Sequence, residues 1–178
     1  MMETPPLVLR AQALADETGF DRSSIPEVGT LLHVLASSRG RLRVGEIGAG
    51  CGVGSAWIVS ALPPEVPFYT AELDPGRAAM VRALFAGDEN VHVLEGDWRE
   101  TLPREAPFDL LFVDGGKAKW DGDAVVALLA PGGMAVIDDL TPGREPDPVR
   151  DFWLRDPRLA AVELLTSPDH AAIVATRR

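Results

Sequence analysis

A single cysteine, Cys51, in 178 residues excludes a disulfide framework and any cysteine-rich zinc site. No apolar run approaches the ~18 residues that a membrane-spanning helix needs. The opening stretch Met1-Met2-Glu3-Thr4-Pro5-Pro6 has an acid and two prolines where a secretory leader would carry basic and apolar regions. Positive charge is scarce: 17 Lys and Arg stand against 27 Asp and Glu, a net −10, with no basic run. Phosphate backbones are bound by clustered Lys and Arg, so nucleic acid is not an expected partner. The acidity favours solubility and a cationic ligand. Repeats and low-complexity segments are also missing. The expectation is a soluble, cytoplasmic protein with neither membrane nor nucleic acid as partner. What is present is an ordinary globular mixture, 46% apolar and 25% charged. A chain of this length can bury about 70% of its unfolded surface in one domain.

Two periodicities alternate between the prolines and glycines. Val28, Leu31, Leu32 and Leu35 keep the i, i+3, i+4, i+7 spacing of a helix, with Gly40 beyond its end. Short apolar runs predict strands over 42–47, 68–73, 91–94, 109–113 and 134–137. Helices are predicted over 55–61, around Ala78, Val81, Leu84 and Phe85, and over 124–129; a turn at Pro131, Gly132 and Gly133 follows the last. A proline-rich connection, 142–148, leads to a helix over 149–154 and two closing strands, 161–165 and 171–176. Strands alternating with helices imply βαβ units, hence an α/β fold with a mostly parallel sheet of seven strands and helices on both faces. The closing strands, joined through Ser167, Pro168 and Asp169, read as an antiparallel addition at the edge. Residues 1–24 form a short N-terminal segment, and 25–178 the core of a single domain.

In such a sheet, ligands bind beyond the carboxyl ends of the strands. Gly48, Gly50 and Gly52 lie there, between the first strand and a helix, where backbone can approach a ligand and free N–H groups are offered. The dinucleotide pattern G-x-G-x-x-G does not fit, because its sixth position is Val53 counted from Gly48 and Ser55 counted from Gly50. What fits is E-x-G-x-G-x-G over 46–52, with Glu72 ending the second strand, where a carboxylate can hold both hydroxyls of a ribose.

These residues resemble the class I S-adenosylmethionine-dependent methyltransferases, which have a Rossmann-like fold. VGEIGAGCGVG (44–54) is similar to the first motif of that superfamily, AELDP (71–75) to the second, and Gly96-Asp97-Trp98 to the third-strand motif that flanks adenine. The resemblance implies S-adenosylmethionine as cofactor, held by Ser24, Glu46, Gly48, Ala49, Gly50, Gly54, Ser55, Glu72, Leu73, Asp97, Trp98 and Asp114. Serine is common where Gly54 falls; the adjacent Ser55 is the candidate for the methionine carboxylate.

Within the superfamily the chain resembles the metal-dependent O-methyltransferases, the catechol and caffeoyl-CoA group. FDLLFVDGGK (108–117) is similar to F-D-L-x-F-x-D-x-x-K, and LLAPGGMAVIDD (128–139) to L-L-x-x-G-G-x-x-x-x-D-N. The resemblance implies a divalent cation on Asp114, Asp138 and Asp139, with Lys117 as base and Asp114 beside it in catalysis. It also implies a small-molecule hydroxyl substrate and a homodimer. Three carboxylates at adjacent strand ends repel one another unless a cation or protons neutralise them. Oxygen-only ligands select a hard ion, Mg²⁺ first, with Mn²⁺ or Ca²⁺ as alternatives.

Two departures stand out. Asp139 replaces the usual Asn, adding a negative charge, and Gly115 and Gly116 replace larger residues, which predicts a flexible loop under Lys117. The residues leave two alternatives open. One is a metal-independent methyltransferase in which Asp114 ends a strand and Asp138-Asp139 begins a turn. The other is a module that binds S-adenosylmethionine without turnover, against which Lys117 and the acidic triad argue. No N-P-P-Y or D-P-P-Y follows the fourth strand, which disfavours base methylation. His33 and His92 read as surface residues and Cys51 as a small buried one; His170 is a base candidate in a metal-free enzyme. Trp98 and Trp120 serve either as stacking platforms or in the core. Arg155 and Arg158 read as a solvated face.

Overall fold

The computed structural model of the protein describes residues 2–115 and 117–178. Seven strands form one sheet: β1 (Val44–Ile47), β2 (Phe68–Glu72), β3 (Val91–Glu95), β4 (Phe108–Val113), β5 (Leu129–Leu140), β6 (Leu159–Leu165) and β7 (Ala171–Arg177), ordered β3-β2-β1-β4-β5-β7-β6. β1 pairs in parallel with β2 and β4, and these pair in parallel with β3 and β5. β7 runs antiparallel to both its neighbours, β5 and β6. The closing pair is thus an antiparallel addition through β7 alone, because β6 at the edge again runs with the first five.

The helices are α1 (Pro6–Thr18), α2 (Pro26–Ala36), α3 (Val53–Val59), α4 (Pro75–Leu84), α5 (Trp98–Thr101), α6 (Gly122–Ala127) and α7 (Pro148–Arg155). Proline occupies the first turn of α1, α2, α4 and α7, where a missing N–H costs nothing. Asp74 and Asp147 cap α4 and α7 by accepting the N–H of Arg77 and Arg150 at 2.8 and 3.1 Å. Alternate residues of β4 face opposite layers. Leu110 and Phe112 join Val28 and Leu32 of α2 and Ile58 of α3, whereas Leu111 and Val113 join Val125 of α6 and Trp153 of α7.

One local expectation changes. β5 begins at Leu129, paired with Phe108, and the next pair is Leu110 with Met134. Pro131, Gly132 and Gly133 therefore make a bulge inside the strand rather than a turn before it. A side chain at Gly133 would lie 2.6 Å from the Phe108 carbonyl oxygen, so glycine lets the two strands close over the extra residues. The N-terminal segment holds α1, whose Val8 and Ala11 pack with Ala56 and Trp57 of α3.

α2 and α3 pack together at Gly29, where a Cβ would fall 2.2 Å from Trp57 Nε1. Gly29→Ala should lower unfolding stability by about 1–3 kcal/mol through overpacking. Gly87→Ala, whose Cβ meets nothing within 4 Å, should stay within about 0.5 kcal/mol of the parent in the same urea titration. Equal stability of the two variants would show that the helices do not meet at Gly29.

Candidate active site

The strand order reverses between β1 and β4, and a cavity of about 450 Å³ opens beyond their carboxyl ends. Its floor is a contact between two backbones. The Ile47 carbonyl at the end of β1 accepts the N–H of both Asp114 and Gly115. Gly48 has φ 92, and a Cβ there would fall 2.4 Å from Gly115 Cα. Glycine at 115 is thus required by close approach: its own Cβ would lie 2.8 Å from the Ile47 carbonyl oxygen. This replaces the expectation of a loose loop at 115, while Gly116 lies outside the described residues.

One wall is the loop from β1 to α3 with the end of β2. Gly50 donates its N–H to Glu72 Oε2 at 2.9 Å, and Glu72 Oε1 accepts from Asp74 N at 2.9 Å and Arg77 Nη2 at 2.8 Å. Three residues therefore aim a nearly buried carboxylate along the cavity wall, Arg77 donating through Nε as well. Ala49, Gly54 and exposed Leu73 line it beside Glu72; Asp97, which caps α5, and half-buried Trp98 line it further on. Arg99 lies 4.7 Å over the Trp98 ring.

Sequence reading named Ser24 in the connection between α1 and α2 but missed its neighbours Phe20, Arg22 and Ser23, and also Arg77. Phe20 covers Gly50, where a Cβ would come within 3.0 Å of the ring, and Arg22 and Arg77 stand 5.6 and 5.8 Å from that ring's centroid. Ser23 also lines the cavity; its Oγ is buried with no partner among the described residues. Ser24 Oγ donates to Asp114 Oδ2 at 3.4 Å. An aromatic next to arginine in Phe20-Asp21-Arg22 was the available signal, but nothing local ties it to a loop 30 residues on.

Glu46 and Ser55 are corrected. Neither lines the cavity: Glu46 is 1% and Ser55 0% exposed. The Ser55 hydroxyl donates to Glu46 Oε2, which also accepts from Thr70 Oγ1 at 2.6 Å, so Ser55 has no hydroxyl hydrogen to offer a ligand. Glu46 instead pins α3 to β2 beneath the glycine loop. Burial pushes its pKa from 4.5 to about 7, against the two hydroxyl bonds and with help from Glu72.

Asp114 and Asp139 also line the cavity, whereas Asp138 is buried and outside the lining. Asp114 follows β4, and Asp138 and Asp139 lie near the end of β5; one carboxylate oxygen from each falls within 4.8 Å of the others. Burial, then Asp138, Asp139 and Glu46, push Asp114 up to about 8, with Lys119 opposing. Asp138 is raised to about 6, chiefly by burial. Asp139 is exposed and has φ 58, a left-handed conformation that no other non-glycine shares among the described residues. Such a cluster of oxygen donors fits a hard divalent cation, which would relieve the repulsion that protons otherwise relieve. Lys117 is exposed and lines the rim. The lysine that reaches the aspartates is Lys119, whose Nζ stands 3.9 Å from Asp139 Oδ2.

The remaining candidates are placed by their partners. His33 is half-buried rather than on the surface, its Nδ1 3.2 Å from the Trp57 carbonyl oxygen. His92 stacks on Tyr69, and His170 pairs with Ser167 in the β6–β7 turn outside the cavity lining. Cys51 is buried and lines the cavity, whereas Trp120 is 57% exposed and does not. Arg155 and Arg158 pair with Asp151, Asp123 and Asp156 on the surface.

The raised Glu46 pKa has a signed consequence. A carboxylate that binds its proton more tightly when folded contributes stability fully present below about 4.5 and lost as pH rises through about 7. Glu46→Gln should therefore gain in melting temperature relative to the parent between pH 4.5 and pH 7.5. A difference that stays constant across this window would show that Glu46 does not titrate there.

Comparison with known proteins agrees with this geometry. Over 146 residues the chain is 30% identical to a predicted O-methyltransferase of Mycobacterium avium, covering 77% of this chain and 64% of that protein. It is 31% identical over 145 residues to its counterpart in Mycobacterium ulcerans, with 63% of that protein covered. The chain thus spans less than two thirds of the length of the curated relatives it matches. The fold is shared with an O-methyltransferase of Bacillus cereus in complex with SAH (TM-score 0.83, 20% identity, 100% of this chain and 93% of that one). It is shared also with the O-methyltransferase TomG of Streptomyces achromogenes in complex with SAM (TM-score 0.80, 22% identity, 99% and 91%). Residues 46–140, from the buried glutamate of β1 to the end of β5, match the family described as the methyltransferase domain, and the chain belongs to that family.

Proposed function

We propose that the protein is an S-adenosylmethionine-dependent O-methyltransferase acting on a hydroxyl of a small molecule, with a divalent cation on Asp114, Asp138 and Asp139. One observation carries the reading. The glycine loop with Glu72 and two of the clustered aspartates, Asp114 and Asp139, line one cavity, joined at the Gly48–Gly115 contact, and Asp138 is buried within reach of both. The names of the mycobacterial relatives, and the molecules bound by the Bacillus and Streptomyces proteins, support the same chemistry.

Residues 48–50 approach the methionine part of the cofactor, with Ser24 across the cavity. Glu72 accepts the ribose hydroxyls, and Leu73, Asp97 and Trp98 flank the adenine. When bound, the cation supplies Lewis acidity that lowers the pKa of a substrate hydroxyl. Lys117, in its amine form, takes that proton at the rim. The substrate oxygen then forms the new C–O bond as the sulfonium C–S bond breaks, giving a methyl ether and S-adenosylhomocysteine. The cavity contributes by holding the two reactants in line.

Asp114→Ala and Asp138→Ala should abolish Mn²⁺-dependent turnover while S-adenosylhomocysteine still binds. In a calorimetric Mn²⁺ titration with S-adenosylhomocysteine present, binding should disappear in the Asp138→Ala, Asp139→Ala double variant. Turnover unchanged in both single variants would leave a metal-independent methyltransferase, and no release of S-adenosylhomocysteine with any hydroxyl acceptor would leave a binding module.

A further inference from the structure

Lys119 lies in the 3₁₀ turn Ala118–Trp120 that follows β4, and it reaches across to the end of β5. Its Nζ donates to the carbonyl oxygens of Asp138 (3.1 Å) and Asp139 (2.8 Å) and stands 3.9 Å from Asp139 Oδ2. The side chain is 19% exposed, so its charge is drawn into the corner rather than left in solvent. Its own main chain is anchored independently: the Lys119 carbonyl accepts from Trp153 Nε1 at 3.0 Å, and Trp153 is fully buried. A single ammonium thus grips the backbone on both sides of the residue that holds φ 58. Asp139 is also the residue that adds a charge relative to the Asp-Asn pattern. An extra anion and a cation occupy the same corner.

We propose that Lys119 is a built-in counter-cation and positioning residue of the Asp138–Asp139 corner. It fixes the left-handed backbone and offsets the charge of Asp139, the acid that this corner has in excess of the Asp-Asn pattern. The role toward the ion rests on the function proposed above, whereas the pairing of Lys119 with Asp139 exists without any ion. The ammonium keeps the aspartates from splaying while no ion is bound. It also repels an arriving cation, so affinity is exchanged for a preformed site.

The test is a double-mutant cycle with Lys119→Met and Asp139→Asn, because Asn tolerates the left-handed backbone and methionine keeps most of the lysine stem. Neither change removes the main-chain bond to Trp153. In protein stripped with EDTA, Lys119→Met should lower the melting temperature, and should lower it less in the Asp139→Asn background. Lys119→Arg should restore most of the loss. In Mn²⁺ titrations of the stripped protein without substrate, Lys119→Met should bind about tenfold tighter than the parent. Additive melting losses, or a loss unaccompanied by any change in Mn²⁺ affinity while the parent binds Mn²⁺, would overturn the counter-cation role. A parent that binds no Mn²⁺ would overturn the metal-holding function instead. The cycle in stripped protein would then still decide the pairing.

Discussion

The carbonyl of Ile47 holds the two halves of the site together. It accepts the N–H groups of both Asp114 and Gly115, which brings the turn after β4 against the turn after β1 with no room for a side chain at Gly48 or Gly115. A parallel sheet whose strand order reverses at this pair leaves a crevice between the outgoing chains, and here the crevice is sealed at its base by backbone alone. The glycine loop and the first aspartate of the acidic cluster are consequently placed by one contact. Neither relies on a long side chain, so both positions follow from backbone hydrogen bonding at the strand ends.

Around that contact the charges are graded by burial. Glu46, beneath the loop, is sealed and protonates easily; its hydroxyl partners make it part of the framework. Glu72 is nearly as buried, but Arg77 and two N–H groups fix its orientation. Asp114, Asp138 and Asp139 crowd together, with Ser24 donating to Asp114 and Lys119 pairing with Asp139. The same residue type thus serves as structural pin, oriented wall and strained cluster, according to what donates to it.

Much of this was legible in the sequence. The alternation of short apolar runs with helical spacing yields the strands and their order along the chain, because buried parallel strands need nearly continuous apolar residues. The acids at 72, 114, 138 and 139 were readable because each directly ends or follows such a run. What sequence could not show is which way a side chain turns. Ser55 follows the glycine loop as a ligand-binding residue would, yet helix α3 rotates its hydroxyl inward to Glu46. Lys117 has the motif spacing, but the lysine that reaches the aspartates is two residues further on, because the 3₁₀ turn swings Lys119 over β5. The helix α1 left a signal in Pro6, in Val8, Ala11 and Ala15 on one face, and in Gly19 past its end, but its short apolar side chains give a weak pattern. The bulge in β5 depends on the facing Phe108 carbonyl, a partner that lies over 20 residues away in sequence.

The left-handed backbone at Asp139 restricts what can stand there before charge is considered. Branched and bulky side chains are strained at φ 58, whereas glycine, asparagine and aspartate are tolerated. The conformation therefore filters substitution down to a small set whose members differ mainly in charge and in whether an oxygen is offered. Variation at this corner can adjust the local field in single steps of charge while the backbone of the strand end stays the same.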